Sequence, residues 1–115
     1  MVEHPIADRR PASTQVERLA GEIDIATVPR LERRFSTLPN TVATVIVDLS
    51  DVTFLDSAAI QFLHDLHGRL ETRAAELIVV SPPATMPRRV LELTSFGSRV
   101  RVSDSLSAAR ASAGQ

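Results

Sequence analysis

Residues 42–57 read V-A-T-V-I-V-D-L-S-D-V-T-F-L-D-S, and the first half of this run decides the fold class. Val42 to Leu49 is β-branched, almost continuously apolar and too short for a typical helix. A strand apolar on both sides belongs inside a sheet, often a parallel one covered by helices. Ser50-Asp51 reads as a turn. Val52-Thr53-Phe54-Leu55 then carries the chain to Asp56-Ser57.

Downstream, Ala59, Phe62, Leu63, Leu66 and Leu70 form a helical stripe, with Gln61, His64, Asp65, Arg69 and Glu71 expected to face water. Leu77 to Val80 reads as a second buried strand, stopped by Ser81-Pro82-Pro83. A helix over 87–94 is expected to bury Val90 and Leu93. Gly97 marks a loop, Val100 to Val102 a last strand, and Ser103 or Asp104 the cap of a final helix through Ala111. Upstream, Ser13 to Ala20 reads as a strand punctuated by Gly21, with Glu22-Ile23-Asp24 entering a loop. Thr27 is the expected N-cap of a helix carrying Pro29 in its first turn and Val28, Leu31, Phe35 and Leu38 on its inner face. Strands alternating with helices through short connections define an α/β domain over 13–112. Residues 1–12, with Pro5 and Pro11, read as a flexible tail.

Composition removes several function classes. The chain has 115 residues, the size of one domain, and a net charge of −1 from 14 acidic and 13 basic residues. Such a balance lacks the positive field that nucleic acid demands, and with four Phe, no Trp and no Tyr there are few rings for bases to stack on. Every basic residue is Arg, so neither Schiff-base chemistry nor a P-loop lysine is available. Without Cys there are no thiolates and no disulfides. No apolar run approaches 18 residues, and Met1 to Ala12 is too polar for a signal peptide, so a cytoplasmic protein with no membrane insertion is expected.

Three constellations invite a chemical reading. His64 and His67 stand at i, i+3 on a helix, but with no Cys and no convergent third ligand they read as solvated histidines. Ser57, His64 and Asp56 do not make a hydrolytic triad, because two helical turns separate the base from the nucleophile by roughly 10 Å. The pairs Arg9-Arg10, Arg33-Arg34 and Arg88-Arg89 read as solubilising surface. There remains Leu55-Asp56-Ser57-Ala58-Ala59 at the start of a helix. Asp and Ser here satisfy the first free N–H groups, and a phosphate on Ser57 would meet the same groups and the positive end of the helix dipole.

Gly21-Glu22-Ile23-Asp24, Val45 through Ser57, and Leu91-Glu92-Leu93-Thr94-Ser95-Phe96, in this order, resemble the STAS domain family, whose single-domain members are anti-anti-sigma factors (anti-sigma factor antagonists). The likeness spans about Thr14 to Ala109. It implies a mixed β-sheet of four to five strands covered by about four α-helices. It also implies a partner-switching regulator: the chain binds an anti-sigma factor that is a serine kinase, frees a sigma factor, and is released when Ser57 is phosphorylated. On this reading the chain is no enzyme and carries no cofactor, since ATP and Mg²⁺ belong to the kinase. It acts as a monomer or weak dimer, and Asp24, Thr27, Asp56, Ser57, Ala58, Ala59 and Gln61 form the partner-binding set. The family often reads Asp-Ser-(Ser/Thr)-Gly; here Ala58 leaves Ser57 the sole acceptor, and Ala59 is expected to add a methyl where a partner's backbone approaches. Similar stand-alone domains also serve as non-phosphorylated accessory subunits docked on ABC-transporter ATPases, which is the alternative function.

Overall fold

The computed structural model describes residues 13–114, so the tail expected over 1–12 lies outside the described residues. Four strands, β1 (Thr14–Ile23), β2 (Thr44–Leu55), β3 (Glu76–Val80) and β4 (Arg101–Ser103), pair in the order β1-β2-β3-β4. All three pairings are parallel, and no antiparallel pair is present among the described residues. Parallel neighbours require a crossover. Helices α1 (Val28–Phe35), α2 (Ser57–Glu71) and α3 (Met86–Leu93) supply the three crossovers, and α4 (Leu106–Ser112) follows β4.

Burial divides the core into two layers. Val45, Val47, Leu49, Leu77 and Val79 pack with Phe35 of α1, the α2 stripe and Leu91 of α3. On the opposite face Ile46, Ile78 and Val80 pack under Ala109 of α4. Residues 44–49 of β2 are all buried, as expected of a strand covered on both faces. With so few rings the core is aliphatic, but Phe35 and Phe62 meet edge-on at 5.4 Å between centroids.

Three local expectations are corrected. Ser50-Asp51 is not a turn: pairing with β1 carries β2 on to Leu55, while the Asp48 carboxylate accepts the Ser50 N–H (2.9 Å) and hydroxyl (2.6 Å) where the ladder is interrupted. Two register shifts against β1 absorb the irregularity, one of them at Gly21, whose φ of 77° only glycine adopts readily. Leu93 is not buried; α3 turns Pro87 and Leu91 inward and leaves Leu93 75% exposed. The last helix is capped by Ser105, whose Oγ accepts the Ala108 N–H at 3.1 Å, while Asp104 pairs with Arg88 at 2.8 Å.

The long β2 positions the site. β3 stops pairing at Asp48, whereas β1 accompanies β2 as far as Leu55. A two-stranded ribbon therefore projects past the rest of the sheet and delivers Asp56-Ser57 at its tip. No described helix is long and apolar enough to cross a membrane.

Candidate functional site

The tip is organised by two carboxylates. Asp56 is the N-cap of α2: its Oδ1 accepts the Ala59 N–H at 3.0 Å. Its Oδ2 accepts the N–H of Ile25, 31 residues earlier, also at 3.0 Å. The Asp56 N–H in turn donates to the Ile23 carbonyl at 3.2 Å. Asp56 therefore ties the β1–α1 loop to the start of α2. Asp24 closes that loop on itself, its Oδ1 accepting from Ala26 N (3.0 Å) and Thr27 N (3.1 Å).

Ser57 occupies the first helical position, exposed to solvent. Its hydroxyl makes no hydrogen bond among the described residues, so it is free both to dock and to react. The dipole of the 15-residue α2 is positive here, and the N–H groups of Ser57 and Ala58 precede the capped one. An anion on Ser57 would therefore meet local donors, with the like charge of Asp56 beside it.

The expected site residues fall into three groups. Asp24, Thr27, Asp56, Ser57 and Ala58 lie together at the tip, and Gln61 is exposed one turn along α2 with its amide on Asp65 at 2.8 Å. Thr27 stands at the N-cap of α1 as expected but makes no side-chain cap; its Oγ1 accepts the Asp24 N–H at 2.9 Å instead. Ala59 is only 1% exposed, with its methyl in the core. The expectation that this methyl meets a partner's backbone is therefore corrected: the apolar stripe of α2 begins one residue after the exposed turn and draws Ala59 inward.

Two charged features also differ from expectation. His64 does not stand free in water, because its ring lies against Phe96 at 4.8 Å between centroids. Burial there holds its pKa below the ordinary imidazole value, Arg99 and His67 push the same way, and Asp65 opposes them. Neither histidine joins a metal cluster among the described residues. Arg88 is a clamp rather than free surface, donating to the Ser81 carbonyl at 2.6 Å and to Asp104.

Sequence reading missed Ile25. It is 76% exposed, on a loop whose backbone is held by Asp24 and Asp56. The available signal was an isolated aliphatic residue between Asp24 and Ala26, outside any apolar periodicity.

A family model described as the STAS domain matches residues 6–109. The chain belongs to that family. Among curated proteins, the anti-sigma F factor antagonist of Lysinibacillus sphaericus is 31% identical over 86 residues, covering 73% of each chain. Among solved structures, an anti-sigma factor antagonist from Mycobacterium paratuberculosis superposes with a TM-score of 0.79 at 24% identity, covering 93% of this chain and 91% of that one. The anti-sigma factor antagonist SpoIIAA in its unphosphorylated form gives 0.65 at 25% identity, covering 88% of both. A sulfate transporter family protein from Wolinella succinogenes gives 0.75 at 18% identity, covering 88% of this chain and 84% of that one. The four parallel strands and four helices thus form a STAS-type α/β fold.

Proposed function

We propose that this chain is an anti-sigma factor antagonist: unphosphorylated, it binds an anti-sigma factor of the serine-kinase type and frees a sigma factor, and phosphorylation of Ser57 ends the binding. The relatives named anti-sigma factor antagonists support the first part. The carrying observation for the second is the exposed, unbonded Ser57 hydroxyl at the tip of α2.

The physical cycle follows from that placement. While Ser57 is unmodified, the tip offers a small hydroxyl that a docked surface can cover at little cost. A phosphoryl group brings about −1.5 to −2 charges and three oxygens that demand donors. Beside Asp56 and Asp24 it adds like-charge repulsion, and covering it would strip its water. The phosphorylated tip is therefore more stable in solvent than against a partner. ATP and Mg²⁺ act in the kinase; this chain is substrate and regulator, in the cytoplasm, and catalyses nothing.

Incubation with the cognate kinase and ATP is expected to add one phosphate to the chain and none to Ser57→Ala, read by intact mass and peptide mapping. Equal labelling of the Ala form assigns the acceptor elsewhere. The second reading is permanent docking on a transporter ATPase; a sulfate transporter family protein shares the fold, which places such domains in transport proteins as well. Co-purification separates them: a soluble kinase-type partner on one reading, an ATPase with membrane subunits on the other.

A further inference from the structure

We infer that Ile25 is the apolar anchor of partner docking, received by a protein surface that offers an apolar pocket ringed by cationic side chains. The inference rests on the proposed reading of the Ser57 tip as a docking face, and names the residue that holds the partner there.

Three observations carry it. First, the Ile25 side chain is 76% exposed on the loop tied to the start of α2, so a partner that covers it removes apolar surface from water. Second, the loop that presents it is already ordered: the Ile25 N–H is on Asp56 Oδ2, and the Ala26 and Thr27 N–H groups are on Asp24 Oδ1. Burying Ile25 in a partner's pocket therefore costs little further backbone entropy, as expected of an interface anchor. Third, Phe54 adds a second partly exposed apolar group three residues before Ser57, paired in register with Glu22.

Charge selects the chemistry of the rim. Glu22 and Asp24 lie just before Ile25 in the chain, Asp56 accepts its N–H, and none of the three carboxylates forms an ion pair among the described residues. Arg30 shares a groove with Glu22 without pairing to it. An apolar centre within unneutralised carboxylates is complementary to an apolar pocket with a cationic rim. A rim matched to three carboxylates has no donors to spare for a phosphate on Ser57.

The test uses the full chain, immobilised, with an extract of the cells that make it. Proteins retained by the unaltered chain, Ile25→Asp, Ile25→Val and Ser57→Asp are quantified, and the retained partner is then purified for titration. Ile25→Asp is expected to weaken that partner's binding by about 30-fold or more, the scale of an interface hot spot, with Ile25→Val within a few-fold. Binding of the unaltered chain is expected to weaken as salt rises. Because Ile25 is exposed, all four forms should melt alike. Retention by Ile25→Asp within about twofold of the unaltered chain overturns the inference, as does a chain that retains nothing beyond what Ile25→Asp retains. If Ile25→Asp binds and Ser57→Asp does not, the switch reading stands without this anchor. If the Ile25-dependent partner is a transporter ATPase, the anchor stands and the kinase reading falls.

Discussion

Ser57→Asp is expected to weaken the complex with the anti-sigma partner by about 30-fold or more, because a carboxylate covered without a counter-ion costs about 2–5 kcal/mol. Enzymatically phosphorylated chain should lose more, since it carries up to about twice the charge. Ser57→Ala should bind within a few-fold of the unaltered chain, because a methyl replaces an exposed hydroxyl that makes no bond within the protein. Titration calorimetry reads all three. The order Ala, then Asp, then phosphate separates a charge-driven switch from a steric one, in which Asp would bind almost as well as Ala. None of these changes should alter folding, since Ser57 lies outside the core.

Asp56→Ala is expected to lower stability by about 2 kcal/mol, made of about 1 for the lost helix cap and about 1 for the lost loop bond. For a domain of this size that corresponds to roughly 8–10 °C in melting temperature. Asp56→Ser should recover the cap, because Ser also accepts from the third N–H of a helix, but its shorter side chain cannot also reach Ile25. A Ser variant halfway between the two in a urea melt is the expected result. A Ser variant as stable as the parent would mean that the 3.0 Å bond to Ile25 contributes nothing. The effect should extend to partner binding, since freeing the Ile25 N–H restores the entropy that docking then has to remove.

Much of this architecture was legible in the chain. The run Val45-Ile46-Val47 could only be a covered strand, and the spacing of Phe62, Leu63, Leu66 and Leu70 fixed the inner face of α2. Failures came where a local rule met a competing partner. In α3, apolar residues at 90, 91 and 93 fit more than one helical phase; Pro87 and Leu91, four apart, took the buried side. Ser50-Asp51 has turn composition, but pairing with β1 kept the chain extended.

The site divides the same way. Asp56-Ser57 announced a capped helix start, and the structure has it. Thr27 has the right chemistry for a cap, yet Asp24 captures its hydroxyl and holds the loop instead. The bond from Asp56 to Ile25 links positions 31 apart, and no local pattern encodes it. Helical spacing placed Ala59 on the inner stripe of α2, where it lies; the family resemblance alone set it on the partner face.

The most direct measurement of the switch is release of the sigma factor from its complex with the anti-sigma partner, followed as unmodified or Ser57-phosphorylated chain is added. Unmodified chain is predicted to free the sigma factor with a midpoint near equivalence, and phosphorylated chain to free almost none at the same concentrations. Equal release by both forms would contradict the account, because the charge at the tip of α2 would then have no control over docking.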